Sequence, residues 1–160
     1  PGLVVGEPVV ELHGAPQMTT PWNPSLMIAA ALSAIAALLH VGCIVFGASW
    51  YRFFGAGERM ARLAEAGDWR PTVVAAGIVV VLSVWALYAL SGAGAIRALP
   101  LLRIGLCAIT AVYALRGVAG LWYAAFGAGA DAAFWWWSSA ICLVFGIVHG
   151  VGLVQVWARL

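Results

Sequence analysis

Four long apolar runs constrain this chain more than any other feature. They cover residues 25–47, 71–91, 101–126 and 134–158. Roughly 20 apolar residues in an α-helix span the hydrocarbon core of a bilayer. The runs are continuous rather than alternating, so they do not match the ten-residue pattern of outer-membrane strands. Because backbone groups in lipid must be satisfied within their own segment, we expect four transmembrane helices.

The composition supports this interpretation. Apolar residues make up 64% of the 160 residues and charged residues only 9%, against about 25% charged residues in an ordinary soluble domain. These values exclude a soluble globular domain, a disordered chain and a disulfide scaffold. The eight basic residues form no basic patch, so we expect no nucleic-acid partner. The partner that the composition predicts is the lipid bilayer.

The connections between the apolar runs are short except for the first. We therefore predict an all-α integral membrane protein with one domain, residues 18–160, in which four spans form an antiparallel bundle. Residues 1–17 have no arginine and no long apolar run, and we interpret them as an N-terminal extension or an expression remnant. Residues 48–70 are interpreted as an interfacial loop with a short helix, stabilised by a pair between Glu58 and Arg62 and ended by Gly67.

Aromatic residues flank the spans mainly at the membrane face that carries this loop. We expect seven of them to anchor the protein at headgroup level: Trp50, Tyr51, Trp69, Trp122, Trp135, Trp136 and Trp137. The same face has four arginines and the opposite face three. The positive-inside rule then predicts that the long loop lies in the cytoplasm and both termini lie outside. The expected location is a bacterial inner membrane. The small bias also permits an antiparallel homodimer.

Ionisable residues within a membrane span are costly and therefore indicate a functional site. Arg116 lies ten residues before the end of the third run, roughly 15 Å deep. Its neighbours on the same helix face are Tyr113, Gly120 and Tyr123. No acidic residue lies within a run. We therefore expect Arg116 to pair with helix carbonyls, a lipid phosphate, an anionic ligand or the loop acid Asp131.

Two histidines also lie within the runs. His40 shares a face with Cys43, and His149 lies near Cys142 in the fourth run, where residues 146–150 form a GxxxG step that favours close helix approach. The histidines are expected to form hydrogen bonds within the bundle. A haem with both as axial ligands is an alternative. Their depths differ by about 12 Å, which argues against a haem within one subunit and leaves a haem shared between two subunits. A metal site formed by His40, Cys43 and Cys142 is a second alternative.

No phosphate loop, nucleophile elbow, zinc-protease motif or intramembrane carboxylate pair occurs in the chain. We therefore predict no enzyme activity and no cofactor. The leading hypothesis is a small protein that binds a lipid or amphiphile through Arg116, Tyr113 and Tyr123, with His40 and His149 as secondary polar contacts.

An accessory subunit of another membrane protein is also consistent with the sequence. The alternatives are a haem or metal redox protein that uses His40 and His149, and a small-anion channel or transporter with Arg116 as its selectivity charge.

Overall fold

The computed structural model describes residues 22–54, 58–127, 129 and 132–160. Residues 1–17, interpreted above as an extension or remnant, lie outside these ranges. The described part is helical and contains no strand. Its helices are α1 Pro24–Phe46, α2 Ala48–Phe53, α3 Glu58–Glu65, α4 Arg70–Ala93, α5 Leu102–Phe126 and α6 Ala132–Val156. A 3-10 turn, Trp157–Arg159, follows α6.

Four of the helices, α1, α4, α5 and α6, are long and apolar enough to cross a membrane. The predicted architecture of four transmembrane helices in a bundle is therefore confirmed. The predicted ends of the spans agree with the helix ends to within two residues. The protein is a multi-pass membrane protein in which large apolar side chains cover the outer surface of the bundle, where lipid replaces water as the solvent.

The bundle consists of two extensively packed pairs. Helix α1 packs along α4 and α5 along α6, and the pairs are joined chiefly through α1 and α6. At one end Asn23 connects three helices. Its Oδ1 accepts from Leu26 N at 2.8 Å, its Nδ2 donates to Gln155 Oε1 at 2.8 Å, and its backbone N donates to Ala93 O at 3.0 Å. The start of α1 thus lies beside the ends of α4 and α6, as an antiparallel bundle requires.

Helices α5 and α6 approach each other closely at glycines. A Cβ added to Gly117 would lie 2.5 Å from Leu143 Cγ and 3.0 Å from Leu143 N. A Cβ added to Gly146 would lie 3.1 Å from Ala114 N. The close approach predicted for residues 146–150 is therefore confirmed at Gly146. The helix that approaches is α5 of the same chain, so this contact is used within the bundle.

The long loop contains two helices, of which the sequence predicted one. Helix α3 matches the predicted helix and ends where expected. Gly67 adopts φ 72, its N donates to Ala64 O at 3.1 Å, and Asp68 N donates to Leu63 O at 2.9 Å. These two hydrogen bonds form a Schellman motif, and glycine adopts the positive φ that this motif requires without steric cost. Helix α2 was missed because its six residues are too few to show a helical period.

Arg52 of α2 joins α2 to α3. Its Nε and Nη2 donate to the two carboxylate oxygens of Glu58 at 3.0 and 2.9 Å, and its Nη1 donates to Glu65 Oε1 at 2.6 Å. The predicted pair between Glu58 and Arg62 is present at 3.6 Å. It is secondary, because both oxygens of Glu58 already accept from Arg52. The hydrogen bonds to Arg52 hold the pKa of Glu58 and Glu65 below the usual range.

Tyr51 does not have the interfacial position that the sequence predicted. The ring is 6% exposed and packs with Cys43 and Ala61 between α1 and α3. Its hydroxyl has no hydrogen-bond partner among the described residues, and burial raises its pKa. The prediction for Tyr51 is wrong because the turn of the chain at α2 directs this ring beneath α3.

The other rings at this end differ in their surroundings. Trp50 lies against Gly42, where an added Cβ would be 2.6 Å from the indole Cε3 atom. Four predicted anchors are exposed: Trp69, Trp122, Trp136 and Trp137. Their anchoring at headgroup level stays a prediction.

Replacement of Gly117 and of Gly77 by alanine should have opposite effects on stability. Gly117→Ala places a methyl group against the backbone of Leu143, and we expect a loss of about 1–3 kcal/mol in the free energy of unfolding. Gly77 has open space around its Cα, so Gly77→Ala should gain up to about 1 kcal/mol from helix propensity. Thermal unfolding in detergent micelles measures both, and equal shifts would contradict the close packing of α5 and α6.

The link between Arg52 and the two glutamates should depend on pH. The pKa values of Glu58 and Glu65 are lowered in the folded state, so the stabilisation is complete above their unfolded pKa, near the ordinary glutamate value of 4.5. It is lost as the pH falls through the lowered values. NMR titration of the glutamate carboxyl carbons should give midpoints below 4.5.

The variant Arg52→Gln should return both midpoints to the ordinary range. Arg59→Gln is the matched control, because the structure gives Arg59 no ion pair with a described carboxylate. If Arg59→Gln raised the midpoints as much as Arg52→Gln, the assignment of the glutamates to Arg52 would be wrong.

Candidate functional site

Arg116 lies between α5 and α6 and contacts three side chains of α6. Its Nη1 donates to Ser139 Oγ at 3.1 Å and its Nη2 donates to Ser138 Oγ at 3.2 Å. The guanidinium carbon Cζ lies 4.5 Å from the ring centroid of Trp135, a distance at which cation and ring attract. The charge of Arg116 is therefore held by two neutral hydroxyls and one aromatic face.

The side chain of Arg116 extends toward the nearer membrane face. Arg116 is ten residues before the end of α5. Ser139, Ser138 and Trp135 are seven, six and three residues after the first residue of α6. Because the two helices are antiparallel neighbours, these partners lie closer to the membrane face than the backbone of Arg116, which is roughly 15 Å from the helix end. This extension resembles the snorkelling of long cationic side chains in membranes.

Gly120 makes room for this arrangement. A Cβ added there would overlap both Ser139 Oγ and Arg116 Nη1. Tyr123 completes the group, because its ring packs edge-on against Trp135 with centroids 4.9 Å apart. Tyr123 is exposed, so the cluster reaches the surface of the bundle. We call Arg116, Ser138, Ser139, Trp135 and Tyr123 the arginine cluster.

Tyr113 belongs to a different group of side chains in the core. Its hydroxyl forms a 3.1 Å hydrogen bond with Ser33 Oγ, and its ring contacts Trp85, Phe145 and His149. Tyr113 is only 5% exposed. The predicted grouping of Tyr113 with Arg116 is therefore not what the structure shows. Side chains three positions apart on a helix differ by about 60° in direction. That difference is enough to place Tyr113 in the core and Arg116 between two helices.

The two histidines use their rings in the same way. Nδ1 of His40 donates to Ala36 O at 2.7 Å, and Nδ1 of His149 donates to Phe145 O at 2.8 Å. A carbonyl oxygen only accepts, so Nδ1 carries the proton and Nε2 of a neutral ring is an acceptor. His149 is 0% exposed, and its Nε2 has no partner among the described residues. Neither histidine contacts Arg116, so their predicted role as secondary contacts at that site is not supported.

The metal alternative is not supported by the structure. Among the described residues, no group of three His, Cys, Asp or Glu side chains could hold a metal ion. Cys43 packs against Tyr51, whereas Cys142 packs against the cluster that contains Tyr113. The two cysteines also lie at different depths, because Cys43 is three residues before the end of α1 and Cys142 is ten residues after the first residue of α6.

The geometry also separates the two candidate haem ligands. His40 is six residues before the end of α1, and His149 is seventeen residues after the first residue of α6. Both of these helix ends lie at the same membrane face, so the difference in depth is about 16 Å. The complete burial of His149 keeps it away from a site shared between subunits. These positions give no support to a haem held by the two histidines.

The partners of Arg116 were the residues that sequence reasoning missed. Ser138 and Ser139 are the first polar residues after the aromatic start of the fourth apolar run, which is a usable signal. The predicted alternative partner Asp131 lies outside the described residues. Comparison of the chain with protein-family models, curated proteins and solved structures finds no match.

Removal of both serines should destabilise the bundle. In Ser138→Ala/Ser139→Ala the guanidinium loses both hydroxyl acceptors, and we expect a loss of about 1–3 kcal/mol in the free energy of unfolding. The control is Ser83→Ala, because Ser83 is exposed on α4 and forms no side-chain hydrogen bond with a described residue. Thermal unfolding in micelles compares the two. Equal stability of the double variant and the control would show that the hydroxyls do not hold Arg116.

Proposed function

We propose that this protein binds the anionic headgroup of a membrane lipid or amphiphile at the arginine cluster. The observation that carries the proposal is an intramembrane arginine whose contacts with the described residues are all neutral. The acidic side chains of the described part, Glu58, Glu65 and Asp68, pair with arginines of the long loop. A charge at membrane depth is costly without an opposite charge, so an anion would gain affinity from compensating it.

The chemistry of the cluster suits an anion with two or more oxygens. A guanidinium has five N–H donors in a planar fork, and two of the donors of Arg116 are used by the serines. The remaining donors can bind a phosphate or carboxylate in bidentate geometry. Each serine hydroxyl that accepts from Arg116 still has its own proton to donate. The exposed ring of Tyr123 marks the side from which a lipid can enter.

This proposal is a binding role rather than a catalytic one. It places the protein in a bacterial inner membrane, where the arginine-rich end faces the cytoplasm and anionic lipids are available. An accessory role beside another membrane protein is compatible with the same site, because most of the chain lies within four apolar spans. The site itself is defined by the arginine cluster in either case.

The decisive variant is Arg116→Gln. Native mass spectrometry of the wild-type protein, extracted gently from its own membrane, should show a bound anionic amphiphile. In the variant the fraction of protein that carries this amphiphile should fall by about tenfold or more, because a charge-assisted hydrogen bond contributes about 1.5–3 kcal/mol. The variant retains a polar side chain of smaller size, so the bundle can remain folded.

Arg103 provides a matched control at the opposite end of the bundle. It also lies over a tryptophan, with Cζ 4.7 Å from the ring centroid of Trp157, and it donates to a single neutral acceptor. Arg103→Gln should leave the bound amphiphile in place. If Arg116→Gln retains the wild-type occupancy, or if Arg103→Gln lowers it equally, the proposed site is wrong.

A further inference from the structure

A groove lies between α3 and the first turns of α4, apart from the arginine cluster. Its volume is about 520 Å³. Two arginines line it, Arg59 from α3 and Arg70 from the start of α4. The apolar part of its lining includes Leu63 of α3 and Val73 and Val74 of α4. The groove therefore combines two cations with an apolar wall.

The charges around α3 are separated by sign. Glu58 and Glu65 both bind Arg52, which comes from α2. Asp68 uses Oδ1 to accept from the backbone N of Arg70 at 2.8 Å, and its other oxygen lies 3.8 Å from Arg70 Nε. The two carboxylates of α3, Glu58 and Glu65, are thus engaged on the side of α2, whereas Asp68 lies beside Arg70.

Arg59 has no ion pair with a described residue. A second hollow of about 330 Å³, lined by Arg59, Arg62 and Leu63, adjoins the groove. Among the described residues, Arg62 has only the long contact to Glu58. This side of α3 is therefore rich in positive charge that the described carboxylates neutralise only in part.

The groove lies where the membrane surface meets the hydrocarbon core. Arg70 is the first residue of the span α4, and Trp69, beside it, is 67% exposed. Exposed tryptophan is typical of headgroup level. Val73 and Val74 are 54% and 49% exposed on the first turn of the span. The polar end of the groove is thus at headgroup depth, and its apolar wall continues down the lipid-facing side of α4.

We propose that this groove binds one anionic phospholipid of the surrounding leaflet. Arg59 and Arg70 hold the phosphate, and an acyl chain follows Val73 and Val74 along α4. Charge complementarity selects an anionic lipid over a zwitterionic one. The proposal rests on residues other than those of the arginine cluster and stands independently of it.

The experiment measures lipid selectivity of the full chain by native mass spectrometry. The delipidated protein is exposed to phosphatidylglycerol and phosphatidylcholine with identical acyl chains. Wild-type protein should prefer phosphatidylglycerol. In Arg59→Gln/Arg70→Gln that preference should fall by about tenfold or more, because each arginine near an anionic membrane surface strengthens binding by roughly fivefold.

The matched control is Arg97→Gln/Arg159→Gln, which removes two exposed arginines from the opposite end of the bundle. It should keep the wild-type preference. Equal loss in this control would show that general attraction of the protein's charge, not the groove, selects the lipid, and would overturn the proposal. So would an unchanged preference in Arg59→Gln/Arg70→Gln.

Arg116→Gln separates this inference from the proposed function. If it lowers the preference while Arg59→Gln/Arg70→Gln does not, the arginine cluster is the anion site and the groove is not. If the groove variant alone lowers the preference, the groove is supported regardless of what Arg116 binds. A photoactivatable phosphatidylglycerol analogue gives a second measurement. It should label peptides that contain Leu63 or Val73, and labelling confined to α5 and α6 would overturn the groove.

Discussion

The hydrocarbon core of a bilayer offers no hydrogen-bond partner, and the polar groups of the four spans are arranged under that constraint. Both histidines donate Nδ1–H to the carbonyl four residues earlier in their own helix. Ser33 and Tyr113 satisfy each other between α1 and α5. Among the described charged residues only Arg116 lies deep within a span, where two hydroxyls, an aromatic ring and the space left by a glycine accommodate it. The contacts that mark Arg116 as a candidate site therefore follow from the lack of hydrogen-bond partners in the hydrocarbon core.

The sequence predicted the fold well because each span is a local property of about 20 consecutive residues. It also placed Gly120 on the helix face of Arg116, and the structure shows that the missing side chain leaves space there. It could not identify Ser139 as the group that fills the space, because the rotation of α6 about its axis is decided by packing against α5. Tyr113 was assigned to the wrong group for a similar reason: helical spacing places residues on a face but does not state which neighbour that face meets.

The long loop shows a second limit of sequence reasoning. Counting arginines at each membrane face treats Arg52 and Arg59 alike. In the structure they differ, since Arg52 binds two glutamates and Arg59 binds none of the described glutamates. The difference arises from α2, a helix too short to predict, which brings Arg52 to the acidic side of α3. Separation of charge across one short helix therefore depends on tertiary structure, although every residue involved is visible in the sequence.

The packing of consecutive spans has a consequence for how the chain enters a membrane during synthesis. Each extensive contact joins neighbours in the sequence, α1 with α4 and α5 with α6. Taken alone, α5 carries an arginine near its centre, which opposes its transfer into lipid by about 2.5–3.5 kcal/mol. The serines and the tryptophan that accommodate Arg116 are the first part of α6 to emerge from the ribosome. We therefore expect the helical hairpin α5–α6, rather than α5 alone, to partition into the bilayer.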